Sequence, residues 1–321
     1  MKLLLIGSGE LGSRFLQASI NTNLLHEITV IEPNEESVIL SKNRISELPG
    51  KTISIIWLKN ISDLKDDNFN LCIIATQAEN RIDIFKDIFK LKIKNILTEK
   101  IVTQSEDDFL FILNESKKLN IKIWVNCKTR CYPQWQYIKN KLNKNEFSYH
   151  SIGGNHGLCT NGIHTIDLFV FLSDSKHLIN NQSKFDENIY LTKRNKYDFS
   201  GEINIIDNNG SKCIIDYCSY NNSTILDTIV SKEYRWVIHH STYQFYEGSF
   251  TNNWKLIEMP FNDDLSVSFM SINFINEILL TKSCSLPTLE ETYLAHNFLF
   301  SNTLSIFNEY LKKTNNICPF T

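Results

Sequence analysis

Leu3-Leu4-Leu5-Ile6-Gly7-Ser8-Gly9-Glu10-Leu11-Gly12 decides the fold. A short apolar run ends in glycines spaced GxGxxG, and an amphipathic segment, residues 10–20, follows directly. Strand, glycine loop and helix in that order make the first turn of a dinucleotide-binding unit. Gly7 permits the tight turn. Gly9, without a side chain, lets a pyrophosphate approach the backbone, and Gly12 lets the helix pack close to the strand. The helix N-terminus then offers free N–H groups and partial positive charge to phosphate. Glu32, about 20 residues on at the end of the next apolar run, is placed to accept hydrogen bonds from ribose hydroxyls. A carboxylate there repels a 2′-phosphate, so NAD(H) is the expected cofactor and NADP(H) the less favoured one.

Outward from the loop, apolar runs at 28–31, 53–57, 71–75, 95–98 and 121–125 alternate with amphipathic segments at 35–48, 82–91 and 106–119. Each run is short enough for a strand buried on both faces. Alternation of this kind predicts a parallel sheet with right-handed crossovers, a Rossmann domain over residues 1–125. After residue 130 the pattern changes. Helices are expected at 132–142 and 162–172. Strand-like runs follow at 189–192, 201–206, 213–217, 224–230 and 235–239, with a hairpin turn at Asp207-Asn208-Asn209-Gly210. Helices at 265–280 and 289–311 close the chain. Residues 126–321 are thus expected to form an α+β domain with a large, mostly antiparallel open sheet, for substrate binding and oligomerisation.

Composition narrows the function classes. The 321 residues suit two domains, and 42% hydrophobic with 21% charged residues is a globular balance. A net charge of −3 without a basic stripe gives a nucleic-acid or acidic-membrane partner no electrostatic support. No apolar run reaches the roughly 18 residues of a membrane helix. The first apolar run stops at Gly7, short of a secretory signal core, so a buried strand and a cytoplasmic location are expected. The 8 cysteines form no CxxC pair, and no zinc-finger histidine pair accompanies them, so no metal site is expected. His239 and His240 are adjacent and face opposite sides of a strand, a poor metal pair.

Beyond the glycine loop the sequence resembles the Gfo/Idh/MocA family of sugar oxidoreductases over nearly its whole length. The resemblance is carried by Ala75-Thr76-Gln77-Ala78 with Arg81 near a family histidine position, by Glu99-Lys100, by 126–130 with Pro133, and by Gly162-Ile163-His164-Thr165-Ile166-Asp167-Leu168. It implies that Gly7, Gly9, Glu10, Leu11, Gly12, Glu32, Ala75, Thr76 and Glu99 contact the cofactor. It further implies that Lys100 and His164 are catalytic, with Lys100 beside the nicotinamide at the C-terminal edge of the sheet. Ile101 stands where the family has Pro, and since non-proline cis bonds are rare a cis bond after Lys100 is not expected. Thr160 stands where the family has Asp, four residues before His164, which leaves Asn161 or Asp167 to orient that ring.

Arg130, always protonated, suits a substrate or the cofactor carboxamide better than a base role. Thr160, Asn161 and His296 complete the candidate substrate set, with His296 equally readable as a helix-face histidine without a role. His156 lies in a loop that can line the same pocket. Residues 157–164, Leu286-Pro287-Thr288 and His296 are closer to branches linked to bacterial surface-sugar and nonulosonic-acid synthesis. The implied activity is NAD-dependent hydride transfer to or from a sugar or sugar acid, a small-molecule partner, in a homodimer or homotetramer. An NAD-dependent glycoside hydrolase or lyase and a non-catalytic NAD-binding module remain the alternatives.

Overall fold

The computed structural model describes all residues except 49, 51–52, 155, 193–194, 220–221, 261–266 and 321. The chain forms two compact units. One takes Met1–Thr103, Asp107–Cys127 and Asp264–Glu291; the other takes Gln104–Glu106, Lys128–Asp263 and Thr292–Thr321.

The first unit is a Rossmann sheet. Strands β1 (Lys2–Ile6), β2 (Glu27–Ile31), β3 (Ser54–Leu58), β4 (Leu71–Ile74), β5 (Asn95–Thr98) and β6 (Lys122–Val125) pair in parallel in the order β3-β2-β1-β4-β5-β6. Where both faces are covered the apolar runs are buried strands, β4 and β5 at every position and β1 at all but its first; β3, at the sheet edge, has no buried position, unlike the strand buried on both faces expected at 53–57. Helices α1 (Glu10–Asn21), α2 (Glu35–Ser46), α3 (Arg81–Ile88) and α4 (Glu106–Lys118) fall within a few residues of the amphipathic segments. Asn34 caps α2 by accepting from the Ser37 N–H at 2.9 Å. The strand order reverses between β1 and β4, so the glycine loop sits at the topological switch point, where open α/β sheets bind ligands.

One helix changes the partition made from sequence. α7 (Val267–Thr281), expected within the 126–321 domain, packs on α1 in the first unit. The start of the helix expected at 265 lies outside the described residues. The segment after α7 also covers the edge strand β6: the Val125 N–H donates to the Pro287 carbonyl at 2.9 Å, and Trp124 bridges Thr288.

The second unit holds α5 (Pro133–Leu142), β7 (Phe147–Gly154), α6 (Gly162–Ser173), β8 (Leu178–Asn180), β9 (Lys184–Leu191), β10 (Tyr197–Asp207), β11 (Lys212–Cys218), β12 (Leu226–Ser231), β13 (Tyr234–His239), β14 (Gln244–Ser249), β15 (Ile257–Met259) and most of α8 (Leu289–Leu311). Its nine-stranded sheet runs β15-β14-β13-β12-β7-β11-β10-β8, with β9 on β10. Pairing is antiparallel except between β7 and β11, which α6 separates along the chain. β7 lies in the middle of this sheet yet gave no strand signal, because Ser148, His150, Ser151 and a double glycine dilute its apolar alternation. On the inner face, Tyr149 meets Trp135 of α5 at 6.0 Å between rings, and Phe147 meets Phe169 of α6 at 5.6 Å. The 207–210 turn joins β10 to β11, with Gly210 at φ +93° and the Asp207 carboxylate accepting from the Asn209 and Ser211 N–H groups. No helix among the described residues is long and apolar enough to cross a membrane. Of the eight cysteines, only Cys131 and Cys284 are not buried.

Candidate functional site

In the first unit the residues picked from sequence gather at the C-terminal ends of β1, β2, β4 and β5. Gly7 turns at φ +84°. A Cβ on Gly12 would stand 2.1 Å from the Gly7 carbonyl oxygen, so the loop closes onto the helix only with glycine there. Gly9 differs: a Cβ there would meet only Ser37 Oγ, at 3.9 Å. Gly9 is also the N-cap of α1 and supplies no side-chain cap, which leaves first-turn N–H groups for an incoming anion.

Glu32 bends back to this loop. Its Oε2 accepts from the Ser8 N–H at 2.6 Å and its Oε1 from the Asn34 N–H at 2.9 Å. Each carboxylate oxygen keeps a further lone pair for a hydroxyl donor. Ser8 Oγ and Thr76 Oγ1, both beside Gly7, are buried without a hydrogen-bond partner. An open cradle at Gly9, a carboxylate on the loop and unsatisfied hydroxyls fit a dinucleotide. Glu10 points its carboxylate to Arg44 of α2, at 2.5 Å, and Arg44 also binds the Glu10 carbonyl and Ser13 Oγ. Ala75 continues β4 by donating its N–H to the Ile6 carbonyl at 2.8 Å, and Leu11 lies half-buried in the first turn of α1.

Arg81 organises the other side of the cradle, a role its sequence position near a family histidine did not signal. Its guanidinium, buried at the start of α3, donates to the carbonyls of Glu99 (2.8 Å), Val102 (3.2 Å), Ile101 and Thr76. It thereby ties the loop after β4 to the loop after β5. Burial lowers its pKa to about 10, with Glu99 acting the other way. Glu99 itself is interior: burial pushes its carboxyl up, against an Asn126 amide that donates to Oε1 at 2.5 Å. Lys100 follows, half-buried, and the Lys100–Ile101 peptide bond is cis. This corrects the expectation drawn from the missing proline.

The second unit collects the remaining candidates around the first turn of α6. Asn161 is the N-cap, and its side-chain amide donates to the His156 carbonyl. His164 lies half-exposed in the first turn. Asp167, proposed to orient that ring, gives both carboxylate oxygens to Arg130. Arg130 Nε donates to Oδ2 at 2.8 Å and Nη2 to Oδ1 at 2.5 Å, with both side chains buried. His296 is fully buried in α8, its Nδ1 2.9 Å from the Thr292 carbonyl and its ring against Phe300.

A carboxylate that the sequence did not single out stands behind Thr160. Asp198 of β10, wholly buried, accepts from the N–H groups of Cys159 (2.9 Å), Thr160 (3.1 Å) and Phe199 (2.8 Å). A Cβ on Gly157 would come within 2.5 Å of its Oδ2. Burial raises the Asp198 carboxyl, and these donors hold it down. The strand expected from sequence began only at Gly201, so Asp198 fell between the expected elements, whereas β10 starts at Tyr197. Among the described residues no group of His, Cys, Asp and Glu can hold a metal ion.

No family model and no curated protein matches the chain. Solved structures do match its fold. UDP-N-acetylglucosamine 3-dehydrogenase from Acidithiobacillus ferrooxidans superposes with a TM-score of 0.73 at 10% identity, covering 94% of this chain and 96% of the other. An oxidoreductase from Agrobacterium radiobacter, solved with NAD+, L-tartaric acid and magnesium, gives 0.73 at 14% identity over 96% and 97%. Biliverdin reductase from Synechocystis, with biliverdin and NADP+, gives 0.71 at 12% identity over 92% and 96%. At these identities the likeness is one of fold: a Rossmann sheet joined to a mostly antiparallel open sheet.

Proposed function

We propose that the protein is an NAD-dependent oxidoreductase of the Gfo/Idh/MocA type, acting on a hydroxyl or keto group of a sugar or sugar acid. The observation that carries this reading is the glycine loop, open at Gly9 and closed everywhere else, with the Glu32 carboxylate lying on it. Gly7, Gly9, Glu10, Leu11 and Gly12 would hold the pyrophosphate, and Glu32 the adenosine ribose. Ala75, Thr76 and the Glu99 loop would line the nicotinamide side. When bound, the dinucleotide supplies the hydride acceptor or donor. The solved structures of this fold support the class: they include a sugar-nucleotide dehydrogenase and oxidoreductases with NAD+ or NADP+.

The proton is the protein's share. Lys100, at the strand end after β5, donates a hydrogen bond to the reacting oxygen and stabilises alkoxide charge developing there. His164 exchanges the proton, the task for which an imidazole is the usual side chain. Arg81 keeps the Lys100 loop in place through its carbonyl contacts. Arg130 is committed to Asp167 and fixes the turn leading into α5 against α6. The likeness of 157–164 and 286–288 to surface-sugar branches points to acidic or nucleotide-activated sugars as substrates.

Fluorescence titration with NADH and NADPH tests the cofactor half. NADH should bind more tightly, and equal or reversed preference removes Glu32 from the ribose. Absorbance of NADH during incubation with UDP-N-acetylglucosamine, tartrate and a panel of sugar acids tests the reaction. Product formation without net change in NADH would select the hydrolase or lyase alternative. The same reading carries self-association through the second face of the nine-stranded sheet, where Ile152, Ile214, Leu226, Val237 and Tyr246 are half-buried and turned away from the helices. Sedimentation at micromolar concentration as a monomer would count against it.

A further inference from the structure

His239 and His240 have separate surroundings. The His239 ring stands edge-on to Tyr246 at 6.2 Å. His240, just past β13, turns to Asp227 of β12, and its Nε2 lies 2.6 Å from Asp227 Oδ2. The carboxylate is interior, 2% exposed, whereas the imidazole keeps 29%. An interior acid holding one nitrogen of a half-exposed imidazole fixes that ring and leaves its other nitrogen directed elsewhere.

The groups around the pair cannot share its charge. Asp227 is in register with Ser151 of β7, and Tyr149 of β7 and Cys213 and Tyr217 of β11 face the same carboxylate. Burial pushes all three of those hydroxyl and thiol groups upward, so they stay neutral. Burial also works against a charge on His240, but the charge of Asp227 and its hydrogen bond outweigh it, and the imidazole pKa is raised. A protonated imidazole donates from both nitrogens. Asp227 takes the Nε2 proton; among the described residues nothing accepts from Nδ1.

The pair lies at the end of the sheet where α6 begins. Thr165, next to His164 in the first turn of α6, bonds the Tyr217 hydroxyl at 3.1 Å, and that hydroxyl lies 3.2 Å from Ser151 Oγ, opposite Asp227. We propose that His240, held by Asp227, is an oxyanion-binding residue of the second unit, taking the carboxylate or phosphoryl group of an acidic sugar through Nδ1–H. This rests on the reading of that unit as the substrate-binding one. A charge-assisted N–H to an oxyanion is the stronger kind of hydrogen bond and selects acidic over neutral sugars.

The test follows the His240 imidazole by NMR against pH in the full chain, with assignment from His240→Gln. The probes are gluconate, glucose 6-phosphate and glucose. An acidic probe should raise the His240 pKa saturably, and glucose should leave it unchanged. A response to gluconate alone assigns the site to carboxylates, and one to glucose 6-phosphate alone to phosphoryl groups. His240→Gln should weaken the acidic probe by about tenfold or more. Asp227→Asn should lower the imidazole pKa, as loss of any such bridge would, and should also move acidic-probe binding to lower pH, which a purely structural bridge would not do. No probe response, an equal response to glucose, or wild-type affinity in His240→Gln overturns the proposal. Failure of hydride transfer in the NADH assay would fall on the oxidoreductase reading instead, because the imidazole titration needs no turnover.

Discussion

Thr160 rests on Asp198, its backbone N–H 3.1 Å from Oδ2 of a wholly buried carboxylate. That carboxylate comes from β10, far along the chain from Thr160. Thr160→Asp would therefore set two carboxylates side by side with burial already raising one of them. Both would then have folded-state pKa values above their unfolded ones. A carboxyl of that kind contributes stability that is present at low pH and lost as pH rises through the folded pKa. The variant should lose stability at neutral pH and recover much of it in mild acid, read by urea unfolding across that range. Wild-type stability at neutral pH would show that the two side chains do not meet.

Arg130 and Asp167 form a buried, two-point ion pair. Removing one partner strands a charge. Arg130→Met or Asp167→Leu should cost about 3–5 kcal/mol, whereas the double variant should cost clearly less than the sum. Denaturant unfolding of all three completes the cycle. An additive double variant would mean that each residue is held by something else.

Gly9 and Gly12 look alike in the motif and should behave differently. Gly12→Ala forces a methyl to within 2.1 Å of a backbone oxygen, so the fold itself should suffer. Gly9→Val adds atoms to open space and should fold with little change in melting temperature, yet lose NADH binding of the order of a hundredfold or more, about 3 kcal/mol. Retained NADH affinity in Gly9→Val would remove the loop from the cofactor site.

Lys100→Met should leave NADH affinity nearly intact and cut turnover by roughly a hundredfold or more, the lower range for a positioned proton-transfer group. His164→Ala should do the same less severely, because water can stand in for the ring. Both are read by steady-state kinetics on the substrate that the NADH assay identifies. Wild-type turnover in Lys100→Met would end the proposed mechanism and favour an NAD-binding protein without catalysis.

The strand–helix alternation of the first 125 residues was legible because each buried strand is a continuous apolar run and each helix keeps one apolar stripe. The glycine loop was legible because its constraints are steric and fall on fixed positions. β7 was hidden, since its inner positions include Ser151 and glycine where a core strand would show only apolar residues. The Asp198, Arg81 and Asp227 contacts were hidden for another reason. Each joins residues far apart in the chain, and spacing reports only on neighbours along one helix or strand. The same limit hid Arg130, which comes from another element and bonds both oxygens of Asp167.

The Pro287 and Thr288 contacts on β6 set a schedule for a growing chain. The first unit has its five inner and outer strands and α1 available early, but β6 stays an open edge and α1 lacks α7 until the residues up to 291 have been made. At about 5–20 residues per second that interval lasts many seconds, with the whole second sheet synthesised inside it. An unpaired strand is a template for unwanted pairing. A ribosome stalled before α7 would therefore present a nascent chain prone to stick to its neighbours, and one stalled after residue 291 would not.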